Sequence, residues 1–278
     1  MPFRMSRRTS IVATTAFLPA IRALRLAAIA LGLAATGCAA TAERDPIERH
    51  VTGAGRPVVA FQSGLGDGLG VWSAVQDRLP KDLTSFAFSR PGYGRSAARE
   101  GDHSPCAAAA DLRAALREAG LSPPYLLVGH SLGGLYQYAF AKLYPAEVAG
   151  IVLVEPTHPQ HWPHMQKDAP VMAAVVQAAR LAAFSSTMRR EFDDQERCLD
   201  GLAPLAPPRV PTRVLVRGRF VPPEIGAFER MSRDQWRDWP TLLHASGVEP
   251  VEGAGHYIQK DRPAAVVDAI AAVAKAAR

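Results

Sequence analysis

Tyr125-Leu126-Leu127-Val128-Gly129-His130-Ser131-Leu132-Gly133-Gly134 is the stretch that decides how this chain is read. Four apolar residues of strand type run into a glycine-rich turn. From Leu132 onward the apolar spacing is helical, and Pro145 closes that helix. A serine between a strand and a helix, with glycine two residues before and two after, sits on a sharp, crowded turn. Its hydroxyl projects beyond the strand end. The new helix aims its free N–H groups and the positive end of its dipole at the same point. Ser131 is therefore the candidate nucleophile, and the Leu132 N–H is a candidate donor to an oxyanion.

Outward from this turn, strand-like and helix-like runs alternate. Val58-Val59-Ala60-Phe61, residues 84–88, Ile151-Val152-Leu153-Val154, Arg213-Val214-Leu215-Val216 and residues 248–251 read as strands. Residues 107–119 and 264–277 carry apolar side chains at helical spacing. Strands separated by helices predict an α/β fold with a mostly parallel central sheet covered on both faces. Residues 157–208 break the rhythm, with helical pieces at 171–184 and 188–202 and no strand. They are expected to form an inserted helical cap over the sheet's C-terminal edge. The other reading is a set of crossover helices with long loops. The expected organisation is a leader (1–37), a polar tether (38–55), a core (56–156 and 209–278) and the cap (157–208).

The chain has 278 residues, 48% hydrophobic and 21% charged, which suits one large globular domain. Its net charge is +6, but Arg4, Arg7, Arg8, Arg22 and Arg25 supply five of those charges within residues 1–37. The remainder is nearly neutral, so no nucleic-acid partner is expected. Positive charge followed by the apolar run 26–35 reads as an export signal. Ala35-Thr36-Gly37-Cys38 resembles a bacterial lipoprotein cleavage site, which makes Cys38 the expected lipidation site. Ser6-Arg7-Arg8 loosely resembles a twin-arginine signal. The expected location is the periplasm, with the membrane as a partner through a lipid at Cys38. Cleavage without lipidation and retention as an anchor are the open alternatives. Cys106 and Cys198 then form either a disulfide, as an oxidising compartment permits, or two separate buried thiols.

Taken together, the chain resembles the α/β-hydrolase superfamily over about residues 56 to 277, in particular small esterase- or lipase-like members with a helical cap. Gly129-His130-Ser131-Leu132-Gly133-Gly134 carries the resemblance most specifically. Phe88-Ser89-Arg90-Pro91-Gly92-Tyr93-Gly94-Arg95-Ser96 is similar to the family's loop after its second parallel strand, with Ser89 where an Asp is common. The resemblance implies that Leu65, in Gln62-Ser63-Gly64-Leu65-Gly66-Asp67-Gly68, supplies the second oxyanion N–H. Ser63-Gly64 replaces the family's usual His-Gly there.

A serine hydroxyl needs a base. His256, in Glu252-Gly253-Ala254-Gly255-His256-Tyr257 after the last strand, matches the family's position for it. His130 reads as a supporting residue. The acid departs from the common pattern. The strand tip Arg217-Gly218-Arg219-Phe220-Val221-Pro222-Pro223-Glu224 lacks the expected Asp. Glu155, at the end of Val154-Glu155-Pro156, matches the family's alternative position and is preferred to Glu224. Asp261 is a third choice and is expected to cap the last helix. His158, His161 and His164 recur at threes, but Pro159 and Pro163 argue against a helix that would align them. No metal and no cofactor is expected.

The implied function is a serine hydrolase that cleaves small or medium carboxylic esters with a Ser131-His256-Glu155 triad. Thioester and peptide substrates stay open on the same triad. So does a second class of function, a non-catalytic binding lipoprotein built on the same fold.

Overall fold

The computed structural model describes residues 47–277. The leader, Cys38 and residues 38–46 lie outside the described residues. Strands β1 (Arg49–Thr52), β2 (Val58–Gln62), β3 (Thr84–Phe88), β4 (Tyr125–His130), β5 (Val148–Val154), β6 (Thr212–Arg217) and β7 (Val248–Val251) form one sheet. Its order is β1-β3-β2-β4-β5-β6-β7. β1 runs antiparallel to β3, and every other neighbouring pair is parallel. The principal helices are α1 (Pro105–Glu118), α2 (Leu132–Leu143), α3 (His161–Asp168), α4 (Pro170–Ala182), α5 (Ser186–Asp194), α6 (Ala227–Trp236) and α7 (Pro263–Ala276).

Side chains alternate along each strand and so divide the core between two faces. Val58, Ala60, Tyr125, Leu127, Ile151 and Leu153 pack with α1 and α2. Val59, Phe61, Leu126, Val128, Val152 and Val154 pack with α7 and with Trp72. Burial on both faces explains why these strands read as continuous apolar runs. α1 starts where its chemistry dictates. Pro105 occupies the first turn, and the Ser104 hydroxyl accepts from the Ala107 N–H.

β1 corrects the tether reading for residues 49–52. Its four residues are exposed or half-buried, so it carries no buried face to announce a strand. Backbone pairing along the edge, from Arg49 opposite Phe88 to Thr52 opposite Ser85, makes it one.

Residues 157–208 hold α3, α4, α5 and a short turn, Leu199–Leu202, between β5 and β6. The helical run expected over 188–202 is broken at Cys198, whose φ is 67°. Cys198 is bonded to Cys106 of α1, closing a sequence separation of 92 residues. The pair thus forms the disulfide of the two readings left open above. It ties the end of the helical segment to the core.

Closing a loop of that length restricts the unfolded chain by about 4–5 kcal/mol in the loop-entropy picture. The double variant Cys106→Ser/Cys198→Ser should therefore melt about 10 °C lower than the oxidised parent. Scanning calorimetry with and without reductant checks this, and coincident melting curves would contradict it.

Candidate active site

Ser131 joins β4 to α2 with φ 53° and ψ −124°, a conformation that costs an ordinary residue about 1–3 kcal/mol. Its surroundings hold it there. The Ser131 N–H donates to the Val154 carbonyl (3.2 Å), and its own carbonyl accepts from Gly134 (2.8 Å) and Thr157 (3.0 Å). The flanking glycines answer steric demands. A Cβ at Gly129 would stand 2.4 Å from the Gly133 carbonyl oxygen. A Cβ at Gly133 would stand within 2.5 Å of the carbonyl oxygens of Gln62 and Ser63, at the end of β2.

That close approach sets the Gly64–Leu65 loop beside the N-terminus of α2. Among the described residues, the N–H groups of Leu65 and Leu132 have no protein acceptor. Both residues line the same cavity as Ser131. The loop is held from behind by Arg90, which is fully buried. It donates to the carbonyls of Ser63 (2.5 Å) and Gly64 (2.9 Å), and through Nε and Nη2 to both carboxylate oxygens of Glu191 on α5 (2.7 and 2.9 Å). The Tyr93 hydroxyl donates to the same carboxylate at 2.7 Å. Ser63, in place of the usual histidine, donates to the Gly68 carbonyl and accepts from Trp72 Nε1. Ser89 donates to the Glu48 carboxylate at 2.8 Å.

His256 follows β7 and faces the cavity with Ser131. Its carbonyl accepts from His130 Nε2 at 2.9 Å, so His130 braces the backbone of His256. Asp261 accepts from the Gly255 N–H at 2.8 Å and therefore steadies the loop of His256, while Arg262 is the residue at the start of α7. Asp261 is not the cap of the last helix. Among the described residues no hydrogen bond joins the Ser131 hydroxyl to His256, and such bonds are often open before substrate arrives.

Glu155 lies at the tip of β5 in a left-handed conformation with φ 47°, but among the described residues no hydrogen bond joins its carboxylate to His256. Arg217 stands between them. Its backbone N–H and its Nε each donate to Glu155 at 2.6 Å. Its Nη1 donates to Glu224 at 2.7 Å and its Nη2 to His256 Nδ1 at 2.8 Å. The two acids weighed against each other in the sequence thus converge on one guanidinium. The reason is electrostatic: two carboxylates at adjoining strand tips, one of them buried, require a cation between them. A direct Glu155–imidazole contact is replaced here by this bridge. Because guanidinium only donates, Nδ1 of His256 accepts, and the ring proton resides on Nε2.

Burial pushes the Glu155 carboxyl upward, against the pull of Arg217. Burial, with the neighbouring His130, Arg217 and His161, holds His256 well below the usual histidine value. His130 is lowered by burial to about 4, and His158 likewise. No continuous helix aligns His158, His161 and His164, as the prolines imply: α3 begins at His161, so His158 lies outside it while His161 and His164 share it. Pro163 falls in the first turn, where no backbone donor is lost. Among the described residues no group of three or more His, Cys, Asp or Glu is placed to hold a metal ion.

The cavity above Ser131 measures about 340 Å³. Trp162, Met165, Met172, Val176 and Phe192, from α3, α4 and α5, and Phe184, from the link between α4 and α5, give it apolar walls. A second chamber of about 60 Å³ opens on the other side of Ser131 and His256, lined by Glu155, His158 and Trp239. Two residues of the site escape sequence reading. Arg217 is visible at a strand tip, but nothing local marks it as the bridge. Glu191 sits in a charged helical stretch with no motif.

A family model described as alpha/beta hydrolase fold matches residues 57–246. The chain is 34% identical over 100 residues to 1-acylglycerol-3-phosphate O-acyltransferase ABHD5 of Rattus norvegicus, a match covering 34% of this chain and 27% of that protein. It is 33% identical over 104 residues to (lyso)-N-acylphosphatidylethanolamine lipase of Mus musculus, covering 36% and 30%. The chain therefore spans about a third or less of the length of these curated relatives. A thermophilic esterase from Thermogutta terrifontis superposes with a TM-score of 0.59 at 20% identity, over 81% of this chain and 92% of that one.

The buried neutral histidines carry a pH consequence. Their folded values lie below the unfolded value near 6.5, so the unfolded chain binds the extra protons. Stability is complete above about pH 6.5 and is lost as pH falls toward about 4, the folded value of His130 and His158. Melting temperatures should agree at pH 7 and 8 and fall steadily between pH 6.5 and 4. A flat profile across that window would contradict this account.

Proposed function

We propose that this chain, which belongs to the alpha/beta hydrolase fold family, is a serine hydrolase that cleaves carboxylic esters through an acyl-enzyme intermediate. The observation that carries the reading is the strained Ser131 turn. It faces the same cavity as His256 and two unengaged N–H groups, those of Leu65 and Leu132. The names of the relatives, a lipase and an acyltransferase, add support, since both describe acyl-ester chemistry.

In this mechanism Ser131 Oγ attacks the ester carbonyl and His256 Nε2 takes its proton. The Leu65 and Leu132 N–H groups hold the oxyanion. His256 returns the proton to the departing alcohol, then activates a water that releases the acid. The apolar walls favour an acyl chain of medium length. Glu155 is the proposed acid. For Nε2 to accept a proton, Nδ1 must carry one and face an acceptor. Productive turnover therefore needs Arg217 to swing off His256, so that the imidazole N–H turns to Glu155.

The Arg217–His256 bond also favours a second reading, a binding scaffold whose base is permanently blocked. The disulfide supports export to an oxidising compartment. With the Cys38 motif, it supports a periplasmic protein tethered by lipid. Acyl mass on a mature chain beginning at residue 38 tests that tether, and an unmodified amine there would exclude it.

A fluorophosphonate probe should label Ser131 in the folded protein and leave Ser131→Ala unlabelled. Absence of label on the parent would favour the scaffold. On p-nitrophenyl esters, Glu155→Gln should lower kcat by about 10⁴-fold with the fold intact, as loss of the orienting acid does in triads. Glu224→Gln should lose far less. The reverse ranking would transfer the acid's role to Glu224.

A further inference from the structure

His161 stands where the large apolar cavity and the small chamber meet, and it lines both. Its hydrogen-bonding state follows from its neighbours. The Gln235 amide nitrogen donates to the Gln160 carbonyl (3.3 Å) and lies 3.1 Å from His164 Nδ1, which fixes the orientation of the amide. The Gln235 oxygen therefore faces His161 Nδ1, at 2.9 Å, and can only accept. Nδ1 of His161 carries the ring proton, and Nε2 is left as a bare acceptor. Burial keeps the ring neutral, since it lowers the His161 pKa.

The small chamber also presents donors. Trp239 is fully buried, and among the described residues its Nε1–H has no hydrogen-bond partner. His158 is buried, and its Nδ1 accepts from the Gln160 N–H at 3.0 Å, which puts its proton on Nε2. Among the described residues that Nε2 has no hydrogen-bond partner either, although an Asp238 carboxylate oxygen lies 3.4 Å away outside bonding geometry. Unpaired buried donors are costly and call for a partner. One acceptor and two donors around about 60 Å³ complement a hydroxyl, which donates once and accepts twice. A carboxylate would leave His161 without a donor, and an ammonium would leave Trp239 without an acceptor.

We infer that the small chamber is a hydroxyl-binding subsite in which His161 positions the alcohol arm of the ester, so that the preferred substrates are esters of short diols or polyols. This rests on the ester-hydrolase reading above. The large cavity takes the acyl chain. The chamber admits two or three carbons and the free hydroxyl, which donates to His161 Nε2 and accepts from Trp239 or His158.

The test compares 2-hydroxyethyl octanoate with propyl octanoate, which have similar length and differ in the terminal hydroxyl. In the parent, kcat/KM should favour the hydroxyl ester by about tenfold or more. His161→Phe should bring that ratio to about one, with folding checked by its melting curve. His161→Gln, whose amide oxygen can accept at the same place, should recover part of the preference. The same pair of esters is then titrated calorimetrically against Ser131→Ala, which needs no turnover. Tighter binding of the hydroxyl ester to Ser131→Ala, lost in Ser131→Ala/His161→Phe, supports the subsite even if Ser131 proves uncatalytic. Equal affinities for the two esters would mean that the chamber holds only solvent, and would overturn the inference.

Discussion

The first turn of α2 approaches the end of β2 so closely that no side chain fits between them. Gly133 makes this possible, and much of the site depends on it. The contact brings the Gly64–Leu65 loop alongside the helix N-terminus and converges two backbone donors on one point. It also forces the compressed turn in which Ser131 takes a left-handed φ. The strain is held by the parallel strands on either side, since Val154 at the end of β5 accepts the Ser131 N–H. The geometry of the Ser131 turn is thus a property of sheet packing. The buried Arg90 extends it outward, joining the carbonyls of the loop to Glu191 on the overlying helix.

The opposite wall is governed by charge. Arg217 satisfies Glu155, Glu224 and His256 from one side chain, and each partner constrains the others. Desolvation makes the Glu155 anion costly without that cation. It also makes a protonated His256 costly beside it. The resting arrangement therefore stores the imidazole in its neutral form with the acceptor nitrogen turned away from Ser131. The Nδ1 acceptor of His256 is freed only when the arginine gives up that bond.

Much of the framework was legible in the sequence, because both sheet faces are buried and glycines punctuate the turns. The five inner strands announce themselves by their buried apolar side chains and the edge strand β7 more weakly, and Ser131 and His256 follow strands that local residues mark. β1 was not legible, since an exposed edge strand is made by backbone pairing and leaves no apolar pattern. The prolines did separate His158 from the helix of His161 and His164, while Pro163 itself fits the first turn of α3 at no cost in hydrogen bonds. The bridging role of Arg217 links residues 62 and 39 positions apart, and only packing of the folded chain brings them together. The cysteine pairing was undecidable for the same reason: a separation of 92 residues says nothing of distance.

The Cys106–Cys198 bond makes the chain between them a closed covalent ring. Ser131, Glu155 and His161 lie within that ring, while Leu65, Arg217 and His256 lie outside it. To a protease, α4 is the ring's open flank, with Val171 and Leu181 each 73% exposed. A single cut there would leave no free fragment, because both new ends would still be held to α1 and to β6 through the same sulfur bridge. The bond thus protects the connectivity of the site against nicking as well as the fold against heat.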